Sequence, residues 1–232
     1  MKLITTLLIM FLAFTPAIAH GQTTTNSIYI EQVGDNSTIT IEQNGNTNTI
    51  GNTSTQVPFD INGNSQTITT TFNGNQNSMD GNISGNNNTT VVDVTGSGND
   101  LDMAVGSNGS AAGTTMNLTV TGDTNTVDLS QGQLNSATNA TVNMTITGDL
   151  NTFTGEIETD DVTNTFNIAG DSNTFTTVQD GNAGKNIDMT LTGSTNTVSI
   201  EQKSTLNVDS IAINSTSDNS SITIQQCDAG GC

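Results

Sequence analysis

The residues that could perform acid, base or metal chemistry are unevenly represented in this chain. Its 232 residues include 22 acidic side chains, three lysines, one histidine, two cysteines and no arginine. Catalysis by an acid and a base, by an activated nucleophile or by a phosphate clamp draws mainly on the scarce types. Paired carboxylates, as in glycoside hydrolysis, are the one arrangement available in quantity. Because most carboxylates fall at turns and at repeat intervals, we predict a protein that is not an enzyme and has no cofactor, catalytic residue or metal site.

The histidine and the cysteines lie near the two ends of the chain. His20 would become the amino terminus after the cleavage described below, but a copper brace also needs a second histidine, which the sequence lacks. Cys227 and Cys232 have a Cys-x4-Cys spacing, and two thiols alone make a poor zinc site. In an oxidising compartment they can form a disulfide, either closing a small terminal loop or joining subunits.

Residues 1–19 have the features of a secretory signal peptide. Lys2 precedes an almost unbroken apolar run over residues 3–14, and Pro16-Ala17-Ile18-Ala19 ends in an Ala-x-Ala cleavage pattern. The run is too short to cross a membrane, so we expect export, cleavage after Ala19 and no membrane span in the mature chain. Two lysines against 22 acidic residues give the mature chain a charge of −20, which argues against nucleic-acid binding.

A six-residue phrase recurs along the chain and is its strongest internal regularity. It starts with Gly, usually has Asn three residues later and has an apolar residue five later. Gly permits the positive φ of a tight reversal and Asn can hydrogen-bond the turn backbone, so each phrase is predicted to be a turn. Its spacing, often 11 residues between 34 and 96 and 22 to 26 beyond, indicates a unit near 22 residues with two halves. The predicted turn glycines are Gly34, Gly45, Gly74, Gly96, Gly122, Gly148, Gly170 and Gly193.

The segments between the turns alternate apolar and polar residues, as half-buried strands do. The clearest cases are residues 116–121, 142–147 and 187–192. Each unit therefore reads strand, turn, strand, turn, and because an isolated two-stranded unit is marginal in water, the units must stack. We predict an all-β solenoid over residues 27–226, preceded by a short segment, 20–26, and followed by a cysteine-containing tail, 227–232.

The predicted core is thin, since only 31% of residues are hydrophobic while Asn and Thr make up about a third of the chain. Backbone ladders between coils and stacks of like side chains, particularly amides, must then contribute heavily to order. The candidate ladder residues are Gln32, Asn36, Gln43, Asn48, Asn125, Asn151, Asn173, Asn196, Gln202, Asn207, Gln225 and Gln226.

Three stretches resemble the curlin repeat, in which Gln-x-Gly-x-x-Asn is followed by small or apolar residues. They are Ile30-Glu-Gln-Val-Gly-Asp-Asn36, Ile41-Glu-Gln-Asn-Gly-Asn-Thr-Asn-Thr-Ile50 and Ile200-Glu-Gln-Lys-Ser-Thr-Leu-Asn207. The resemblance implies a secreted subunit of extracellular fibres on the bacterial cell surface, for adhesion and biofilm. It implies as partners further copies of the chain or another curlin-like subunit, together with a secretion channel and a nucleator.

The chain departs from the curlin pattern in several respects. The spacing from Gly34 to Asn36 is one residue short, Ser204 stands in place of Gly in the third stretch, and the repeat lengths are less regular. The central units lack the Gln before Gly and have Thr121, Thr147, Ala169 and Thr192 there instead. The Gly-Asp pairs at 122–123, 148–149 and 170–171 have two readings that stay open. They are similar to residues that restrain assembly in inner curlin repeats, and they are also good turn chemistry.

Other functions compete with the fibre reading. Paired outward threonines at 119 and 121, 145 and 147, and 190 and 192 would stack into an ice-binding ladder, although Asn167 and Ala169 interrupt it. A soluble adhesin built on the same coil is a further alternative. Calcium binding by stacked turn carboxylates is sparse in ligands, because calcium takes six to eight oxygens.

Overall fold

The computed structural model describes residues 18–21, 26–45, 48–51, 59–105, 112–132, 137–181, 184–203 and 209–227. All regular structure within these ranges is β-strand. The strands are β1 (Ile18–Gly21), β2 (Asn26–Ile28), β3 (Glu31–Val33), β4 (Thr38–Asn44), β5 (Asn48–Ile50), β6 (Phe59–Asn62), β7 (Thr67–Asn73), β8 (Ser78–Ser84), β9 (Thr89–Thr95), β10 (Asp100–Val105), β11 (Thr115–Thr121), β12 (Thr126–Gln131), β13 (Ala137–Thr138), β14 (Thr141–Thr147), β15 (Thr152–Asp160), β16 (Thr163–Ala169), β17 (Thr174–Asp180), β18 (Asn186–Ser194), β19 (Thr197–Lys203), β20 (Ser210–Asp218) and β21 (Ser221–Cys227).

The strands form two parallel sheets that are the two walls of a β-solenoid, which confirms the predicted fold class. Sheet A has the order β1-β4-β7-β9-β11-β14-β16-β18-β20. Sheet B has the order β2-β5-β8-β10-β12-β15-β17-β19-β21, with β3, β6 and β13 attached beside it. The chain crosses from one sheet to the other and back in each coil, so equivalent residues of successive coils are 22 to 29 positions apart.

Two corners connect the sheets. We call the first the Asn corner: it leads from a strand of sheet A to the next strand of sheet B, through residues 74–77, 96–99, 122–125, 148–151, 170–173 and 193–196. The second, which we call the variable corner, returns to sheet A and differs in length from coil to coil. Its described residues are 34–37, 63–66, 85–88, 112–114, 132, 137–140, 161–162, 181, 184–185 and 209, of which 137–138 form β13.

The core is the narrow space between the two sheets. Alternation along each strand points every second side chain inward, and in β11 the inward Met116, Leu118 and Val120 are buried while the residues between them are not. The aromatic centre of the core is formed by Phe153 and Phe175, whose rings stack at 4.7 Å, with Phe166 reaching them from sheet A.

The ends of the solenoid differ from the predicted domain limits. β1 and β2 begin before residue 27, and β1 straddles the predicted cleavage site, because residues 18–21 pair with residues 40–43 of β4. Cys227 is the last residue of β21 rather than the start of a separate tail, because β21 pairs with β19 through to Lys203. Residues 1–17 of the predicted signal peptide, 1–19, lie outside the described part of the chain. No helix in the described residues is long and apolar enough to cross a membrane.

Candidate assembly site

The turn glycines allow the backbones of successive coils to come into direct contact. All eight predicted turn glycines have φ between +122° and +145°. A Cβ on Gly148 would overlap the carbonyl oxygen of Gly122 and lie 2.7 Å from its carbonyl carbon. In the turns whose residues are all described, the residue two positions after the glycine is also left-handed, but with φ of +59° to +74°, as in Thr124 and Leu150, a conformation that other residues can adopt. The first turn position is restricted to glycine by both φ and space at Gly96, Gly122, Gly148, Gly170 and Gly193, and by φ alone at Gly34 and Gly45.

A continuous asparagine ladder runs along the inside of the Asn corner. The backbone N–H of each asparagine donates to the side-chain Oδ1 of the next, over 3.1 Å from Asn99 to Asn125, 2.9 Å from Asn125 to Asn151 and 2.9 Å from Asn151 to Asn173. The Nδ2 of Asn151 donates to Gly148 O (2.7 Å) within its own turn. The amides of Asn125 and Asn151 thus link the turn glycine of their own coil to the backbone of a neighbouring coil, whereas Nδ2 of Asn173 and of Asn196 has no hydrogen-bond partner.

The ladder is longer in both directions than the predicted run from Asn125 to Asn196, and extends from Asn77 to Ser220. Asn173 N donates to Asn196 Oδ1 (2.8 Å), and Asn196 N donates to Ser220 Oγ (3.1 Å). Asn77 and Asn99, which carry the same phrase but were not among the predicted ladder residues, belong to it as well (2.9 Å). Asn48 is buried in the corner of an earlier coil, where its Nδ2 reaches only Gly45 O at 3.5 Å.

The turn aspartates form a second set of bonds on the outside of the same corner. Asp149 N donates to Asp123 Oδ1 (3.0 Å), Asp171 N donates to Asp149 Oδ1 (2.5 Å), and Ser194 N donates to Asp171 Oδ1. Each carboxylate therefore accepts a backbone N–H of the following coil, which favours the turn-chemistry reading of the Gly-Asp pairs. Among the described residues, no group of three His, Cys, Asp or Glu side chains could hold a metal ion.

Glutamines form a shorter ladder inside the carboxyl-terminal part of sheet B. Gln202 Nε2 donates to Gln179 Oε1 (2.8 Å), and Gln226 Nε2 donates to Gln202 Oε1 (2.8 Å). Gln179 was not among the predicted ladder residues, although it ends an alternating strand as Gln202 does. Gln225 lies on the outer face instead, because alternation puts neighbouring side chains on opposite faces.

The amino-terminal amides are placed differently from the predicted ladder. Asn36 is exposed with φ of +60°, and Ser37 holds the buried corner position, because the turn starting at Gly34 needs a fourth residue before β4 begins. Gln32 Nε2 donates to Ser37 Oγ (3.0 Å). Gln43 is buried in sheet A in register with Phe72, and neither atom of its amide has a hydrogen-bond partner. Asn207 lies outside the described residues.

Polar residues that the repeat phrase did not single out fill the variable corner. Ser37 N donates to Gln66 Oε1 (3.1 Å), and Gln66 N donates to Asn88 Oδ1 (2.9 Å). Near the other end of this corner, the fully buried Lys185 donates through Nζ to Gly181 O (2.9 Å) and lies 3.9 Å from Asp209 Oδ2. The one sequence signal for Lys185 is that a lysine is rare in this chain.

The outer face of sheet B carries a column of carboxylates. Asp80, Asp102 and Asp128 stand directly in register on β8, β10 and β12, and Asp100 is two residues from Asp102. Partial burial, followed by repulsion from Asp80, Asp128 and Asp100, raises the pKa of Asp102 above its ordinary value. This is a destabilising arrangement at neutral pH, because like charges in register repel.

The carboxyl-terminal coil is an open end of the core. Ile222 and Ile224 of β21 are 39% and 46% exposed, whereas their register partners in β19, Val198 and Ile200, are each 1% exposed. No described strand pairs with the outer edges of β20 and β21. The side chains of Ile222 and Ile224 and the unpaired backbone groups at the outer edges of β20 and β21 are therefore available to a further coil.

Cys227 is the last residue of β21 in the same coil. Its side chain is 7% exposed and takes part in a disulfide, and no free cysteine is present among the described residues. Cys232 lies outside the described residues, so the pairing of Cys227 with Cys232 stays a prediction.

Comparison of the chain with protein-family models, curated proteins and solved structures found no match. The arrangement provides stacked backbone and amide ladders and an open end, and its chemistry is that of hydrogen bonding and apolar contact between strands.

Proposed function

We propose that the protein is a secreted structural subunit of extracellular curli-like fibres, which assembles by stacking of its repeats and serves cell adhesion and the biofilm matrix. The observation that carries this proposal is the open carboxyl-terminal coil. Exposed inward isoleucines beside unpaired strand edges are a template for another strand, and natural monomers normally cover or charge such edges. A solenoid that continues into a second copy buries both features and can repeat without limit.

The ladders support the same proposal. Stacked in-register strands with Asn and Gln ladders are also the elements of cross-β fibres. The signal peptide, secretion channel and nucleator belong to the proposal through the curlin resemblance alone.

The test is electron microscopy and fibre diffraction of the purified chain 20–232. We expect unbranched fibres with a spacing of about 4.8 Å along the axis. Replacing both Ile222 and Ile224 by Asp should abolish assembly. Replacing the outward Thr141 and Thr145 of β14 by Asp makes the same change in charge away from the open end, beside uncharged register neighbours, and should slow assembly far less. A wild-type chain that stays monomeric for days at high concentration would favour the soluble adhesin.

Ice binding is the second candidate, favoured by one observation. Six threonines stand in register on the outer face of sheet A at the same strand position: Thr38, Thr67, Thr89, Thr115, Thr141 and Thr163. A second threonine column is interrupted where Thr121 and Thr147 are followed by Ala169. Thermal hysteresis of the monomer measures this activity directly, and its absence disposes of the candidate.

A further inference from the structure

The two ends of sheet B carry most of the large apolar side chains that are exposed in the described part of the chain. Tyr29 and Val33, at the amino-terminal end, are 53% and 71% exposed. Ile222 and Ile224 are at the carboxyl-terminal end, and Leu150 at the Asn corner is the other exposed large apolar residue. Apolar exposure is thus concentrated where β2 and β3 begin the sheet and where β21 ends it.

The sequences at these two ends match. Residues 27–32 read Ser-Ile-Tyr-Ile-Glu-Gln, and residues 221–226 read Ser-Ile-Thr-Ile-Gln-Gln. The match is positional as well as chemical. The strand register places Gln32 and Gln226 at the two ends of one inward column, which runs Gln32, Ile61, Ile83, Val105, Gln131, Ile157, Gln179, Gln202, Gln226.

A second inward column has the same property. It begins at Ile28, continues through Ile50 and Met79, and ends with Val198 and Ile222. If a second copy continues the solenoid, its Ile28 and Gln32 come to stand on Ile222 and Gln226 without a shift of register. In this ladder Gln202 and Gln226 each donate a hydrogen bond from Nε2 to the Oε1 of the glutamine in the preceding coil. Gln32 Nε2 of the second copy would therefore meet Gln226 Oε1 in the same direction.

The outward residues at the two ends are also compatible in charge. In the register of β19 and β21, Glu201 stands beside Gln225. The same register puts Gln225 beside Glu31 of a second copy, so the neutral amide separates two carboxylates. In a chain of net charge −19, this avoids a run of like charges in register. Tyr29 would stand on Thr223, an aromatic and β-branched pair that favours strand pairing.

We infer that copies of this chain join head to tail through sheet B, with residues 27–32 of one copy pairing in parallel with residues 221–226 of the next, Gln32 on Gln226 and Glu31 on Gln225. This interface is heterologous and does not close on itself, so it extends into a filament. The inference rests on the proposed fibre function and adds to it the interface, its register and its sensitivity to charge.

A pair of matched amide-to-acid changes tests the interface. Gln225→Glu would place three carboxylates in register across it, whereas Asn167→Asp adds the same charge on sheet A between the uncharged Thr145 and Thr190. At low salt and neutral pH we expect Gln225→Glu to lengthen the fibre lag time about tenfold and Asn167→Asp to change it little. Adding Glu31→Gln to Gln225→Glu should restore most of the rate. Equal lag times for the two single variants would overturn the interface while leaving fibre formation intact.

Cross-linking tests the register independently of the rate. Tyr29→Cys with Thr223→Cys, in a chain whose Cys227 and Cys232 are replaced by Ser, should give covalent ladders on oxidation of fibres, because paired positions of neighbouring strands are within disulfide distance. Tyr29→Cys with Ser199→Cys, one coil earlier in the same column, should give none. Ladders from the second pair and not the first would overturn the register, and fibres that form without ladders from either would place the interface elsewhere. A wild-type chain that forms no fibres would overturn the interface together with the proposed function.

Discussion

The two corners of the solenoid follow the same plan in the amino-terminal coils and diverge after them. In both, a backbone N–H of one coil donates to a side-chain oxygen of the next: Asn77 to Asn99 at the Asn corner, and Gln66 to Asn88 at the variable corner. The Asn corner continues this ladder to Ser220. The variable corner goes on to Thr114, Ala140 and Val162, which do not extend the ladder of side-chain acceptors.

The Asn corner, which carries the continuous ladder, keeps the same length in each coil from 74–77 to 193–196, whereas the variable corner does not. Two residues separate β15 from β16, four separate β8 from β9, and nine lie between the end of β10 and the start of β11. An asparagine such as Asn125 or Asn151, which bonds both the glycine three positions earlier and the next coil, cannot tolerate an inserted residue. At the variable corner, Thr114, Ala140 and Val162 form no such bond, and the connection is shorter in one coil and longer in another, since a change in loop length costs little in closure entropy.

The largest effect is expected from adding a side chain at the first position of the Asn corner. Gly148→Ala puts a Cβ onto the Gly122 carbonyl at φ of +129°, a conformation that is nearly exclusive to glycine. We expect a loss of at least about 3 kcal/mol in the free energy of unfolding, or failure to fold. Chemical denaturation of the monomer, followed by circular dichroism, measures it.

Gly98→Asn is the matched control in the same corner. Gly98 has φ of +74°, and a Cβ there would meet only Gln76 Cγ at 3.6 Å. Asparagine tolerates this conformation, so the change should be neutral or stabilise the protein by up to about 1 kcal/mol, through the lower entropy of the unfolded chain. Equal destabilisation by both changes would contradict the special role of the first position.

Removing one amide from the ladder should have the next largest effect. Asn151→Ala leaves the buried N–H of Asn125 without its acceptor at 2.9 Å and removes one of the two acceptors of Asn125 Nδ2, which keeps its bond to Gly122 O. We expect a loss of about 3 kcal/mol, because unsatisfied buried donors are costly. At the variable corner, Thr114→Val replaces a buried hydroxyl that has no hydrogen-bond partner and should be neutral or slightly stabilising. A comparable loss for both variants in urea denaturation would mean that the ladder is not the difference between the corners.

Lys185 tests whether the variable corner prefers an apolar residue. Val162 occupies the equivalent position in the preceding coil, so a valine at position 185 should fit. Lys185→Val also removes the ion pair with Asp209. We expect a loss of about 2 kcal/mol, because a largely buried carboxylate is left unpaired. Adding Asp209→Asn keeps an acceptor for the backbone N–H of residue 185, now 3.1 Å from Asp209 Oδ1. The double variant should recover most of the loss in thermal denaturation, and a double variant as unstable as the single one would contradict this account.

The smallest effect concerns the outer face of sheet B. The raised pKa of Asp102 means that the folded state binds its proton more readily than the unfolded state does. The stability of the wild type should therefore rise as pH falls through this pKa, and the repulsion should be fully present above it. Asp102→Asn should stabilise the protein by about 0.5 kcal/mol at pH 7, with the gain vanishing near pH 3.

Asp188→Asn provides the control for this charge effect, because its register neighbours Thr165 and Ala212 are uncharged. It should change stability less at neutral pH than Asp102→Asn does. Free energies of unfolding measured across pH compare the two variants, and a gain for Asp102→Asn that persists at low pH would exclude repulsion as its cause.

The sequence by itself determined the all-β solenoid and the positions of the glycine turns, and its predicted unit of about 22 residues is the lower limit of the 22 to 29 residues between equivalent positions. These features are local: glycine alone accepts the φ at Gly122 or Gly148, and alternation of apolar residues determines which face of a strand is buried. The glutamine at 202 and the asparagines from 125 to 196 could be predicted for the same reason, because each follows from its place in a strand or turn.

Only the tertiary structure decided which sheet each strand joins and which amides meet. Residues 35–43 and 218–226 are similar in sequence, yet the first leads into β4 of sheet A and the second into β21 of sheet B. Which sheet a strand joins depends on how many times the chain has already turned, and the sequence of the strand does not reveal this. Three further features depend in the same way on the neighbouring coil. Lys185 is buried, the amide of Gln43 has no hydrogen-bond partner, and Ser37 rather than Asn36 occupies the buried corner position. Contacts between residues 22 to 29 positions apart are properties of the stack, which no single repeat contains.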